Sequence, residues 1–303
     1  MRRRGWVIAW LAAAALVLAA CSRAGSVWSE TFRCGSQGFS EPEIICEMVK
    51  ALVESRTPHK VEHVTGLGSS LATHQATLSG DLHMNVTYTG VHFLGTLKMS
   101  MSPEWRDPDK VWQYVHDQMR ERFGLWVFKP FGFNNVYALV VKREVAERYG
   151  LRRVSDVKPL ASRWLLGTDQ TFPEYPGQGY REFTQVYGFR FKDIKSMDYD
   201  LLYLAVDRGE VDAAMGYSTD GRIPALNLVM LEDDKQFNPP YHGVLMMRQD
   251  VKDRYPEVYE AAALLEGRID TDTMARLNAE VVVNKREPAE VAREFLRREG
   301  LLK

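Results

Sequence analysis

The feature that most constrains the fold is a repeated alternation of short apolar strand, polar loop and amphipathic helix. Thr31-Phe32-Arg33-Cys34 reads as a strand that runs into the loop Gly35-Ser36-Gln37-Gly38-Phe39-Ser40. A helix follows, with Ser40 expected as its N-cap, Pro42 in its first turn and Glu43 three residues beyond the cap. Ile44, Ile45, Met48, Leu52 and Val53 recur at helical spacing, so this helix has one apolar face to bury. Val61-Glu62-His63-Val64 is the next strand, and Thr65-Gly66-Leu67-Gly68-Ser69-Ser70 leads into a second helix. Strand, helix, strand, helix predicts an α/β lobe with largely parallel strands.

The same alternation returns further on. Residues 137–141 form a dense apolar strand, and Arg143 to Tyr149 a helix closed by Gly150. Residues 164–167 and 228–231 read as buried strands, 201–206 as helix, and 210–215 as a segment extended toward Tyr217. From Val251 the chain is helical, with helices expected over 256–265, 271–282 and 288–298 and caps at Asp270 and Thr271. Pro173-Glu174-Tyr175-Pro176-Gly177-Gln178-Gly179 is expected as a surface loop or cleft rim. No internal repeat or low-complexity tract interrupts the pattern. Two lobes suit this length better than one core.

The first twenty residues are read as a targeting segment. Arg2, Arg3 and Arg4 precede an apolar run from Trp6 to Ala20, short for a bilayer span. The run ends in Leu18-Ala19-Ala20-Cys21, which resembles a bacterial lipobox. The expectation is a signal peptide over 1–20, a lipid on Cys21, a polar linker over 21–30, and a protein held on a membrane surface outside the cytoplasm. Such a compartment permits a disulfide. Cys34 and Cys46 are either bridged or two buried thiols, because sequence does not fix their distance.

Several function classes are excluded or disfavoured. The formal net charge is −1, and no long basic run points to nucleic acid. No P-loop is present, and seven scattered histidines with three cysteines offer no metal-ligand spacing. Ser218, Asp220 and His242 make a hydrolytic triad only on paper, without a nucleophile elbow. Asp220-Gly221 is more simply a turn. The expectation is a non-enzyme with no cofactor and no metal.

Four tyrosines sit in distinctive phrases. They are Tyr88 in Thr87-Tyr88-Thr89-Gly90, Tyr137 in Phe133-Asn134-Asn135-Val136-Tyr137, Tyr217 in Tyr217-Ser218-Thr219-Asp220-Gly221-Arg222, and Tyr241 in Asn238-Pro239-Pro240-Tyr241. With Leu231-Glu232-Asp233-Asp234-Lys235 and Pro288-Ala289-Glu290-Val291-Ala292-Arg293, they make the chain resemble the glycine betaine/carnitine/choline-binding proteins of ABC importers. Gly35-Ser36-Gln37-Gly38-Phe39-Ser40-Glu41 and Thr65-Gly66-Leu67-Gly68 match more loosely. The resemblance covers most of the chain after Cys21.

It implies a two-lobed periplasmic binding protein fold of type II. The chain would cross between lobes near Asn134 and Pro240, giving a discontinuous lobe I (31–134 and 241–303) and a lobe II (135–240). It implies a monomeric receptor that serves a membrane permease and its ATPase. It implies that Tyr88, Tyr137, Tyr217 and Tyr241 cage a quaternary ammonium group, with Asn135 adding a carbonyl contact. Such a head has diffuse charge and weak hydration, and each desolvated ring face contributes on the order of 1–2 kcal/mol.

The pattern departs from the family where a betaine carboxylate is clamped. A lysine in the first loop is replaced by Gln37, and a threonine after the first cage tyrosine by Val91. The segment 171–179 has no arginine. The tail is therefore expected to differ from glycine betaine's. Choline is the better fit, with a bulkier betaine open if Arg181, Arg222 or His92 reaches in and with His242 as the nearest tail contact.

Overall fold

The structure is a computed structural model that describes residues 29–175 and 178–303. The targeting segment and Cys21 lie outside the described residues, as do Pro176 and Gly177. Among the described residues the strands are β1 (Thr31–Gln37), β2 (Lys60–Leu67), β3 (Met84–Tyr88), β4 (Leu125–Val127), β5 (Tyr137–Lys142), β6 (Leu165–Thr168), β7 (Asp193–Ser196), β8 (Ala213–Tyr217), β9 (Leu228–Met230) and β10 (Gly243–Arg248). They form two five-stranded sheets, ordered β2-β1-β3-β10-β4 and β7-β6-β8-β5-β9. Each sheet with its helices makes one lobe.

The chain passes from the first sheet to the second between β4 and β5, and returns between β9 and β10. Where the two passages run side by side they pair through an antiparallel bridge between Asn134 and His242. These two connecting segments are the hinge.

Both sheets are mixed rather than largely parallel. β1 runs parallel to β2 and β3, and β6 parallel to β7 and β8. β10 is antiparallel to β3 and β4, and β5 antiparallel to β8 and β9. The reason lies in the connections. A parallel neighbour needs a crossover helix that returns the chain to the starting edge. β5 and β10 instead enter directly from the hinge, so they start at the edge where their neighbours end.

Local readings hold over most elements. The helices Arg143–Tyr149, Thr271–Val282 and Pro288–Arg298 have the expected bounds. Asp270 accepts the backbone N–H of Thr273 as a cap. Several readings change: β2 runs on from Val64 to Leu67, and the helix expected over 256–265 ends at Ala263. β1 continues through Gly35 and Ser36 to Gln37, because strands on both sides extend its hydrogen-bond ladder. Ser40 is also not the cap of the helix Ser40–Arg56. That helix has Phe39 at its N-cap with no side-chain bond, and Ser40 Oγ donates instead to Asn278 Oδ1 at 2.8 Å.

The helix Ser40–Arg56 buries Ile44, Ile45, Met48, Val49, Leu52 and Val53 against lobe I's sheet and the helix Pro288–Arg298. Each such side chain contributes roughly 1.5–3 kcal/mol on leaving water. Cys34 on β1 and Cys46 on this helix are joined in a disulfide, with Cα atoms 5.9 Å apart. The two thiols left open by sequence are one bridge. Lobe II packs an aromatic cluster, with Phe172, Phe183, Tyr187, Phe189 and Phe191, on one sheet face. Tyr203, Leu202 and Val206 cover the other. No described helix is long and apolar enough to cross a membrane.

Candidate functional site

The cleft lies where the two sheets present their strand ends to the hinge, the usual location of ligands in open α/β sheets. Tyr217 ends β8 and Tyr137 begins β5, and antiparallel pairing sets them directly opposite each other. Their rings stack with centroids 5.1 Å apart and planes 26° apart. Tyr88 ends β3 opposite Gly243, and Tyr241 lies two residues before β10. Tyr241 is fixed by its N–H, which donates to Asn134 Oδ1 at 2.7 Å, and by its ring, which packs on Gly90. A Cβ on Gly90 would fall 2.4 Å from that ring.

The two pairs meet. Tyr88 interacts electrostatically with Tyr217, and Tyr241 with Tyr137. Burial raises the hydroxyl pKa of all four above the ordinary phenol value, so each stays neutral and presents an electron-rich face.

A fifth tyrosine joins them. Tyr175 follows the short turn Phe172–Glu174, and its ring stands 6.4 Å from that of Tyr137. It interacts electrostatically with Tyr241, which lies in the hinge. In sequence it lies within a Pro- and Gly-rich loop, which gives no sign that a tight turn folds it inward. Asp169 supplies the reason: its Oδ1 accepts the N–H groups of Thr171 and Phe172 at 2.9 and 2.7 Å and so holds that turn. Its Oδ2 accepts the Tyr217 hydroxyl at 2.9 Å.

Beneath Tyr217 is a polar pedestal. Tyr199 contacts its ring edge-on at 5.3 Å, and the Tyr203 hydroxyl accepts its N–H at 2.8 Å. Arg222 lies over both of these rings, 4.6 and 4.7 Å from their centroids, and is paired with Asp220 at 2.7 Å. Asp220 and Arg222 thus support Tyr199 and Tyr203 beneath Tyr217, and Ser218 joins the hinge by donating to Asn134 O. The three residues of the paper triad serve separate structural roles.

Glu41, in the first turn of the helix Ser40–Arg56, was the other residue that sequence reading passed over. It is 1 % exposed. Its Oε1 accepts the Tyr88 hydroxyl at 2.6 Å and Asn135 Nδ2 at 3.0 Å, and its Oε2 accepts Asn278 Nδ2 at 3.3 Å. Burial raises its pKa, while bonds from Thr219, Tyr88, Asn135 and Asn278 oppose that rise. Asn278 also donates to Thr219 O in the other lobe at 2.8 Å. Beside it, Gly221 of lobe II meets the Ala279 backbone so closely that a Cβ would fall 2.2 Å from Ala279 N. The lobes are closed on each other at this point.

The remaining expected residues are placed as follows. Gln37 is buried at the end of β1, its Nε2 donating to Ser70 Oγ at 2.8 Å and its Oε1 without a protein partner. Asn135 donates its N–H to Tyr241 O, and its Oδ1 likewise has no partner. Val91 opens the helical turn after Tyr88 and packs on lobe I's core. His242 is a half-buried hinge residue whose Nδ1 is unpaired and whose pKa is lowered by burial.

His92 is fully buried between Thr87 and Thr96, its pKa lowered to about 3 by burial. Arg181 is exposed and pairs with Glu182. A cavity of about 290 Å³ opens on the hinge flank, but it borders the ring cluster through Tyr137 alone.

Comparison with known proteins identifies the family. Residues 30–298 match the family described as the substrate binding domain of ABC-type glycine betaine transport systems. The chain belongs to that family. It is 37% identical over 291 residues to a carnitine transport binding protein, OpuCC, of Listeria monocytogenes, covering 95% of this chain and 94% of that one. It is 34% identical over 297 residues to a glycine-betaine-binding protein of Pseudomonas aeruginosa, with coverage of 95% and 94%. A crystal structure described as a glycine betaine/carnitine/choline ABC transporter superposes with a TM-score of 0.84 at 34% identity, covering 91% of this chain and all of that one. This member of the family is thus an extracytoplasmic substrate-binding protein of an ABC importer and not an enzyme.

Proposed function

We propose that this binding protein captures a small trimethylammonium compound between its lobes and delivers it to a membrane permease driven by an ATPase. The reading is carried by the tyrosines that both lobes place at strand ends facing the hinge. Tyr137 and Tyr217 come from one sheet, Tyr88 from the other and Tyr241 from the hinge, with Tyr175 closing the rim. A head group that has no N–H to donate is held by such faces, and three or four of them support micromolar binding, roughly 8 kcal/mol net.

At the tail end the described residues supply Gln37, with one amide atom unpaired, and beside it Ser70 at the start of the helix Ser70–Ser79. Val91 and His242 border this region in our reading. The four candidate basic side chains are engaged or neutral: Arg181 is ion-paired on the surface, Arg222 is engaged beneath Tyr217, and burial keeps His92 and His242 neutral. A carboxylate tail would lack a charged partner, which is costly in a closed cleft. Choline, with a hydroxyl tail, is therefore the preferred ligand, ahead of carnitine and glycine betaine.

We further propose that residues 31–134 with 241–303 move as one lobe and 135–240 as the other. The monomer would be held at the membrane by a lipid on Cys21.

Calorimetry with choline, carnitine, glycine betaine and an unmethylated amine tests the reading. Heat is expected from the methylated compounds, with choline tightest. Binding of the unmethylated amine alone would sink the cage. A tighter fit for glycine betaine than for choline would sink the tail assignment and leave the cage standing.

A further inference from the structure

Two of the caged tyrosines do not merely face the cleft; each passes its hydroxyl hydrogen bond backward to a buried carboxylate. Tyr88 donates to Glu41 Oε1 at 2.6 Å, and Tyr217 donates to Asp169 Oδ2 at 2.9 Å. The carboxylates come from different lobes, Glu41 from the helix after β1 and Asp169 from the loop after β6. Both are buried, at 1 % and 9 % exposure.

Among the described residues, the hydrogen-bond partners of each are neutral donors. Glu41 is met by Tyr88, Asn135, Asn278 and Thr219, and Asp169 by Tyr217 and the N–H groups of Thr171 and Phe172. An anion out of water with only neutral donors is under-compensated, and two such groups flanking one cleft are more so.

We propose that Glu41 and Asp169 are specificity-determining residues that make the tyrosine cage select a net cation. The deduction rests on the cage reading above and extends it. A phenol that donates to a carboxylate shifts electron density from the O–H bond into its oxygen and ring, which deepens the negative face seen by a cation. Negative charge on the carboxylates behind the rings adds an attractive field that a low-dielectric cleft does little to screen. A permanently charged nitrogen placed between them supplies the missing counter-charge to both lobes at once, so the ligand's charge draws the lobes together. A zwitterion brings its own carboxylate into the same field and gains less.

The experiment compares choline with 3,3-dimethylbutan-1-ol, in which a carbon replaces the nitrogen and the shape is kept but the charge is lost. Binding of both is measured calorimetrically on the wild-type chain and on Glu41→Gln and Asp169→Asn. Each substitution is expected to weaken choline on the order of tenfold or more, while the neutral alcohol is held as well as before or better. Equal losses for both compounds would show a structural role and overturn the proposal, as would unchanged choline binding.

Should either variant fail to fold, Tyr88→Phe and Tyr217→Phe keep the rings and remove the bonds to the carboxylates. They are expected to weaken choline several-fold more than the alcohol, and an equal effect on both overturns the proposal. The wild-type measurement separates the two levels. If it binds no trimethylammonium compound the cage itself fails, whereas if it binds choline and the variants do not discriminate, only the role of the carboxylates fails.

Discussion

The two lobes furnish the cleft in different ways. Lobe II contributes a ring pair that its own sheet assembles, with Tyr137 and Tyr217 on adjacent strands in direct register, stacked, and seated on Tyr199 and Tyr203. Such a cross-strand aromatic pair exists whether or not the lobes meet. Lobe I contributes side chains tied into long-range polar bonds, with Tyr88 on Glu41, Glu41 on Asn135 and Asn278, and Asn278 on Thr219 of the opposite lobe. Under the proposed function, lobe II would supply the preformed half of the head-group site and lobe I the closing half.

The lobes also differ in what stabilises them. Lobe I carries the disulfide, and all seven histidines of the chain lie in lobe I or the hinge. Lobe II has neither, and relies on its aromatic cluster.

The sharpest way to break this division is to prevent closure while leaving both halves intact. Gly221→Val puts a branched side chain where the Ala279 backbone already lies, so the lobes must stand apart. Affinity should fall on the order of a thousandfold, about 4 kcal/mol. The free protein's melting temperature should change little, and small-angle scattering should show a wider particle. Normal affinity in this variant would mean that lobe I's half is dispensable.

Next in size is removal of the disulfide. Cys34→Ser with Cys46→Ser frees a loop closed over a separation of 12 residues, which costs about 3 kcal/mol. Denaturant titration should report that loss, and hydrogen exchange should locate it in lobe I while lobe II keeps its protection.

Acid should act on the same lobe. His92 has a folded pKa lowered to about 3, whereas its unfolded value is the ordinary 6.5. The unfolded chain therefore takes up the proton first. The stabilisation is complete above pH 6.5 and is lost as pH falls from there toward 3. By pH 5 the loss is about 2 kcal/mol from this group. Burial lowers His74, His83 and His242 in the same direction. Exchange protection factors measured at pH 7 and pH 5 should diverge in lobe I and agree in lobe II.

The smallest expected effect compares the rings themselves. Tyr217→Ala should cost roughly tenfold in affinity, about 1.4 kcal/mol, and Tyr88→Ala somewhat less, because only the former also unstacks Tyr137. If Tyr88→Ala were the more damaging, measured by titration calorimetry, the preformed half would belong to lobe I.

Much of this was legible residue by residue. Helical spacing located Ile44, Ile45, Met48, Leu52 and Val53 on one buried face, and caps and proline positions bounded the helices Thr271–Val282 and Pro288–Arg298. The tyrosine phrases directed attention to strand ends at the cleft. Tyr175 and Glu41 were not legible as neighbours of the four tyrosines, although both lie inside phrases that sequence reading singled out. A tyrosine in a proline-rich loop and a glutamate in a first helical turn each have an ordinary surface role, and only their partners distinguish them.

The sequence by itself determined the elements, since periodicity, capping and turn chemistry act over a few neighbouring residues. It also determined the candidate rings, through local phrases that need no knowledge of distance. Tertiary structure alone decided that Cys34 meets Cys46, that Asn278 reaches Glu41 across 237 residues, and that two buried carboxylates stand behind the rings. Those outcomes depend on which faces pack when the chain crosses between its sheets, and packing contacts leave no periodic mark along the chain.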